Sequence, residues 1–277
     1  VRIRILYIGE IVGKAGVYCI KTLLPQLKEE LGLDFVIANG EGTTGGFGIG
    51  KNHSIYLRKL GIDAITAGEK IYYKKDMVPH IAKAPYILRP ANYPASNPGR
   101  GWHVYQAGSR KIGVIVLLGQ SGFPRVHLSN PFTFLPQLVS RVKQEADTII
   151  VDFHAATTAE KYSLFYHADA TVSAVIGSHT KVLTADEYIL EGGTGVIADT
   201  GRTGSALSVG GLDPQVEIEK FLTQIPERSK EYWEDLQLQG VLLDIDESGK
   251  TTAIERIARS VSAPESQRSS VQQQSST

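Results

Sequence analysis

Val175-Ile176-Gly177-Ser178-His179-Thr180-Lys181 is an apolar run that stops at a glycine and then delivers four polar residues. It reads as a buried strand whose end presents side chains to a site. Thr148-Ile149-Ile150-Val151-Asp152-Phe153-His154 has the same form, so two histidines stand where two apolar strands end. In open α/β sheets, binding groups gather at such strand ends.

Working outward, the N-terminal Ile3, Ile5, Leu6 and Ile8 form a strand that halts at Gly9-Glu10. From Tyr18 the positions Ile20, Leu23, Leu24, Leu27 and Leu31 share one helical face, and Gly32 closes the helix. Phe35 to Ala38 is the next strand, followed by Asn39-Gly40-Glu41-Gly42 and a glycine-rich loop to Gly50. Gly45 to Lys51 reads G-x-x-x-x-G-K, the start of a phosphate-binding loop, but Asn52 stands where that motif needs Ser or Thr. Asn52 is instead expected to cap a helix carrying Ile55, Tyr56, Leu57 and Leu60. Ile62 to Thr66 is a short strand ending at Ala67-Gly68-Glu69-Lys70.

Trp102 to Gln106 and Lys111 to Leu117 flank Gly108-Ser109 as a hairpin, and Leu238 to Asp246 and Thr251 to Ile257 pair about Ser248-Gly249 as another. Helices are predicted over Pro131 to Glu145 and Thr158 to Tyr166, each leading into one of the two histidine strands. Short strands follow at Tyr188 to Leu190 and Thr194 to Ala198. Parallel βα units mixed with hairpins make the fold class α/β with mixed sheets. One domain is expected over residues 1–258, and a Ser- and Gln-rich tail over 259–277 is expected to be disordered for want of apolar surface.

Composition narrows the functional classes. The 277 residues carry 29 Lys and Arg against 29 Asp and Glu, so no summed field favours nucleic acid or an anionic membrane as a partner. No apolar run approaches the roughly 18 residues that span a bilayer. Cys19 is the single cysteine, which removes any internal disulfide, and the N-terminal residues show no signal-peptide pattern. A cytoplasmic protein is the expectation. Gly119-Gln120-Ser121-Gly122 lacks the spacing of a nucleophile elbow, so serine hydrolysis has no support.

The strand ends thus gather Glu10, Glu41, Glu69, Lys70, His154, His179 and Lys181 on one rim. Taken singly, each histidine is most simply a satisfied structural residue and each Glu–Lys pair a solvated ion pair. Their recurrence at the same position type on successive strands argues for a site. Carboxylates with imidazoles are metal ligands, and charged lysines are not.

The strings ILYIGEIVG, FVIANGEG, GIDAITAGEK, LRPANYP, VDFHAATTAEK, IGSHTKVLTADE and IADTGRTG resemble, in order, the motifs of the calcineurin-like metallophosphoesterases. The resemblance is closest to the YmdB-like branch, phosphodiesterases of 2',3'-cyclic nucleotides, and runs from Arg2 to about Ile257. It implies a four-layer αββα sandwich with a two-metal site at the strand ends, the ions sharing one carboxylate about 4 Å apart. It also implies a homo-oligomer or a component of a protein assembly.

Against that pattern several positions of this chain differ. Glu10 stands for an aspartate, Gly42 for an asparagine, Glu69 for a ligating asparagine, Lys70 for the catalytic histidine and Lys181 for a ligating histidine. The resemblance therefore implies one retained metal position on Glu41, Glu69, His154 and His179, filled by one divalent transition ion such as Mn, Fe or Zn. The second position, with Glu10 and Lys181, is expected to hold no ion, the Lys181 ammonium lying between Glu10 and Glu41 instead. Lys70, at the catalytic-histidine position, is not expected to serve as an acid. Three functions follow, the first preferred: a scaffold or binding module with weak or no hydrolysis; a single-metal phosphodiesterase or phosphatase on 2',3'-cyclic nucleotides or related small phosphoesters; or an ordinary dinuclear enzyme.

Overall fold

The computed structural model describes residues 2–267. In chain order its elements are β1 (Ile3–Ile8), β2 (Glu10–Ile11), α1 (Gly13–Leu31), β3 (Phe35–Asn39), α2 (Lys51–Lys59), β4 (Ala64–Thr66), α3 (Met77–Ile81), β5 (Ile87–Leu88), β6 (Trp102–Ala107) and β7 (Arg110–Leu118). They continue with α4 (Pro131–Val142), β8 (Thr148–His154), α5 (Thr158–Ala168), β9 (Ala174–Ser178), β10 (Tyr188–Ile189), β11 (Gly195–Ile197), β12 (Arg202–Ser205), α6 (Pro214–Thr223), β13 (Leu236–Ile245) and β14 (Thr251–Val261).

Two mixed sheets result. One has the order β2-β12-β13-β1-β3-β4-β5, with β14 added to β13; the other runs β10-β11-β9-β8-β7-β6. The parallel cores, β1-β3-β4-β5 and β7-β8-β9-β11, are flanked by antiparallel strands.

Side-chain alternation explains the layering. On β1, Ile5 and Tyr7 enter the core between the sheets, while Leu6 and Ile8 join Cys19, Ile20 and Leu24 of α1 on the outer face. On β7, Val114 and Val116 face the inter-sheet core, while Ile115 and Leu117 pack against Leu135 of α4 and Leu164 of α5. Strands buried on both faces carry no polar alternation, which is why they read as continuous apolar runs. Three hydrophobic cores separate four layers, an αββα sandwich as expected.

The same alternation positions the chemistry. Ile150 of β8 points between the sheets, so Asp152 and His154 take that side as well, whereas Val151 and Phe153 face the helices. Leu118, His154 and Ser178 are level across β7, β8 and β9. The polar groups therefore emerge at the carboxyl ends of the parallel strands.

Several expectations need correction. Helix α1 begins at Gly13, five residues before Tyr18, because Ala15 and Cys19 already bury against the sheet. Asn52 lies inside α2; the N-cap is Gly50, and the Lys51 N–H donates to Asp76 Oδ2 (3.0 Å), an external carboxylate doing the capping. Strand β14 runs on to Val261, so Arg259 to Val261 pair with Leu238 to Leu236 rather than starting a disordered tail. The pairing is a backbone interaction, and a polar composition does not oppose it. Residues 268–277 of the expected tail lie outside the described residues. Five elements, β2, α3, β5, β12 and α6, are absent from the sequence reading, and α6 buries none of its side chains.

Candidate active site

Three predicted ligands converge. The carboxylate of Glu69 and the imidazoles of His154 and His179 place one donor atom each within 4.8 Å of one another. His154 Nε2 lies 3.0 Å from Glu69 Oε2 and 3.2 Å from His179 Nδ1. Phe123, from the loop after β7, closes the other side, edge-on to the His179 ring at a centroid distance of 4.9 Å.

The tautomer of His154 follows from the groups behind it. Ser178 Oγ donates its only proton to Asp152 Oδ1 (2.7 Å), so toward His154 Nδ1, 2.8 Å away, it acts as the acceptor. Nδ1 thus carries a proton, and Nε2 is the ring nitrogen turned toward Glu69 and His179. Asp152 is held in turn by the Tyr7 hydroxyl at 2.5 Å and Asn39 Nδ2 at 3.4 Å, both from the opposite sheet. This serine-relayed carboxylate orients the His154 imidazole in the way outer partners of metal-bound histidines do.

Electrostatics tie the cluster together. Burial raises the Glu69 carboxyl, but the hydrogen bond and charge of His154 and the Lys70 ammonium outweigh it and hold Glu69 well below the usual range. Burial opposes protonation of His154, and the Glu69 bond and charge reverse that, raising it. His179 is pushed down to about 3, by burial first and by its His154 neighbour second. A neutral His179 beside an anionic Glu69 suits coordination of a cation.

Glu41, the expected shared carboxylate, sits at the foot of the site with both oxygens in use. Oε2 accepts from the Gly68 N–H (2.6 Å) and Oε1 from the Lys70 N–H (2.5 Å), so Glu41 pins the loop that carries Glu69. Gly68 is required there, because a Cβ would fall 2.2 Å from His154 Cδ2. Burial, then the charge of Glu69, pushes the Glu41 carboxyl up to about 7. Lys70 Nζ binds Glu69 Oε1 at 2.5 Å. Burial lowers the Lys70 pKa, but the charges of Glu41 and Glu69 prevail and hold it above the ordinary lysine value.

Lys181 departs from its expected place between two carboxylates. Its ammonium lies 3.2 Å from Glu10 Oε1, and the ion pairs among the described residues include none between it and Glu41. Glu41 is already engaged by the 68–70 loop, which leaves Glu10 as the nearer uncompensated charge. The ammonium is off the line of a hydrogen bond, so both oxygens of Glu10, 1% exposed, lack a hydrogen-bond donor. A Cβ at Gly42 would stand 2.8 Å from Glu10 Oε1, so the longer acid and the missing side chain at 42 fit one another.

Other quoted strings turn out to be structural. Asn92 bonds the backbone of Leu118 in both directions, at 2.9 and 3.0 Å, and Asp186 accepts from the Tyr162 hydroxyl (2.6 Å). Sequence reasoning passed over Tyr7, Phe123, Asp152 and Ser178. Two of them had a signal: Asp152 and Ser178 are polar interruptions of apolar runs, on the same face as His154 and Ile176 respectively.

Comparison with known proteins identifies the family. Residues 6–257 match the model of the YmdB-like protein family. The chain is 37% identical over 255 residues to a 2',3'-cyclic-nucleotide 2'-phosphodiesterase of Bacillus subtilis, covering 92% of this chain and 96% of that protein. Among solved structures, a phosphatase from Mycoplasma pneumoniae superposes with a TM-score of 0.88 at 32% identity, covering 95% of each chain. A hypothetical protein from Thermus thermophilus superposes with a TM-score of 0.86 at 29% identity, covering 93% of this chain and 99% of that one.

Proposed function

The chain belongs to the YmdB-like family of phosphoesterases, and from that premise we propose that it binds a small phosphoester beside a single divalent ion and hydrolyses it weakly. The observation that carries this reading is the Lys181 ammonium, 3.2 Å from Glu10, standing where a second ion would need a neutral donor.

One carboxylate and two imidazoles, one of them with its Nε2 turned inward by the Ser178 contact at Nδ1, suit a divalent ion such as Mn, Fe or Zn. Bound on Glu69, His154 and His179, such an ion supplies Lewis acidity toward a phosphoryl oxygen. The other contributions come from the chain itself. Lys70 and Lys181 add fixed positive charge that favours a phosphate and the negative charge of its transition state. Held protonated by Glu41 and Glu69, Lys70 gives up a proton far less readily than a histidine at that position. Phe123 shields the imidazoles from water on one side.

The site therefore favours binding over turnover, which keeps the binding-module reading and the single-metal reading in one description. The substrate class, 2',3'-cyclic nucleotides, is taken from the Bacillus subtilis relative. The test is turnover of a 2',3'-cyclic nucleotide by both proteins with manganese added. The expected rate for this chain is at least about a hundredfold lower, the scale on which a general acid or base acts. Equal rates would overturn the proposal.

A further inference from the structure

We propose that Asp199, acting through Thr180 and neutralised by Lys161, is the positioning residue that sets His179 and Lys181 in the site. The inference rests on the metal-binding reading of His179 given above.

The need for such a device is in the backbone. His179 and Lys181 both have positive φ, 102° and 61°, a region that residues with a Cβ enter at a cost. They flank a single residue, Thr180, so the two chemically important side chains leave the chain from two disfavoured conformations one residue apart. Such geometry persists only where surrounding bonds over-determine it.

Those bonds converge on one carboxylate. Asp199 Oδ2 accepts from the Thr180 N–H at 2.9 Å and from Thr180 Oγ1 at 2.7 Å, gripping the middle residue of the turn twice. Its Oδ1 accepts from the Gly201 N–H (2.9 Å), and its own N–H donates to Thr184 Oγ1 (2.9 Å). The backbone behind it has no slack: a Cβ on Gly177 would lie 1.9 Å from the Ala198 carbonyl oxygen. On the far side of the turn, Arg202 Nη1 donates to the Lys181 carbonyl at 2.7 Å.

Lys161 makes the arrangement tolerable in the interior. Its ammonium lies 3.0 Å from Asp199 Oδ2, with both side chains 1% exposed. It reaches in from α5, whose preceding residue, Glu160, accepts the Gln120 and Ser121 N–H groups at 2.7 and 3.2 Å. The strings TTAEK and ADTG, which contribute no ligand, thereby acquire a role: their Lys161 and Asp199 hold the turn that does.

Thr180 is exposed, so it can be varied without opening the core. Thr180→Val removes the hydroxyl bond while keeping the side-chain shape; Thr180→Ser keeps the bond. For the full chain and both variants, the His179 imidazole ¹⁵N resonances would be recorded metal-free at one pH, manganese affinity by calorimetry, and the urea midpoint. The expected result is that Thr180→Val shifts the His179 resonances and weakens manganese binding by about tenfold, the lower end for losing a ligand-orienting group, while Thr180→Ser does neither and the urea midpoints agree. Unchanged His179 resonances in Thr180→Val would overturn the inference, as would equal changes in both variants. Should the wild type bind no manganese, the metal reading fails, and the metal-free resonances still decide whether Asp199 positions His179.

Discussion

A buried glutamate with no hydrogen-bond donor is the unusual feature at the finest scale. Glu10 is 1% exposed, its oxygens accept no hydrogen bond, and among the described residues its ion pair is with the Lys181 ammonium, 3.2 Å away. Removing one partner of a buried pair costs more than the pair contributes, because the survivor stays uncompensated. Lys181→Ala should therefore lose about 2 kcal/mol, less than for a fully buried and hydrogen-bonded pair since Lys181 is partly solvated. Urea melts at neutral pH measure this, and a loss under about 0.5 kcal/mol would show Lys181 to be an ordinary surface residue. The candidate ligands Glu69, His154 and His179 were readable from the sequence because each stands at or just past the end of an apolar strand. Their support was not: Ser178 and Asp152 gain meaning only once register sets them level with and behind His154. Glu41 was recognisable as a site carboxylate, but its work in pinning Gly68 and Lys70 depends on a loop path that strand patterns do not encode.

Secondary structure was readable wherever a strand or helix has an apolar pattern of its own. Two of the segments that were missed, β12 and the end of β14, lack one. Arg202 to Ser205 is polar and Gly-containing, and pairs with β13 through Gly204 and Ser205. Strand β14 was seen only to Ile257, yet Arg259, Ser260 and Val261 extend its ladder against Leu238, Gln237 and Leu236. Val261 and Ala263 also pack on the outer core that holds Leu236 and Leu238, and the Tyr18 hydroxyl bonds the Ser262 carbonyl at 3.2 Å. Truncation before Arg259 should consequently lower stability by about 2 kcal/mol, from lost ladder bonds and newly exposed apolar surface. A thermal melt checks it. An unchanged melting temperature would mean that the end of β14 adds nothing to the sandwich.

The sandwich as a unit makes the site by bringing two sets of parallel strand ends to one rim. Glu10, Glu41 and the Glu69 loop come from one sheet, and His154, His179 and Lys181 from the other. The two sheets are joined beneath the ligands by the Tyr7–Asp152 bond of 2.5 Å. The four-layer architecture entered the sequence reading through the family resemblance, since local patterns reveal strands but not how two sheets stack. Within this frame the central claim is that one cation position is a metal site and the other is filled by a lysine. The most direct test is the metal-to-chain ratio by elemental analysis after saturation with manganese and removal of the excess. The account predicts a ratio near one, lost when His154 or His179 is replaced by alanine. A ratio near two would show that Lys181 does not exclude the second ion, and a ratio near zero that Glu69, His154 and His179 do not form a metal site.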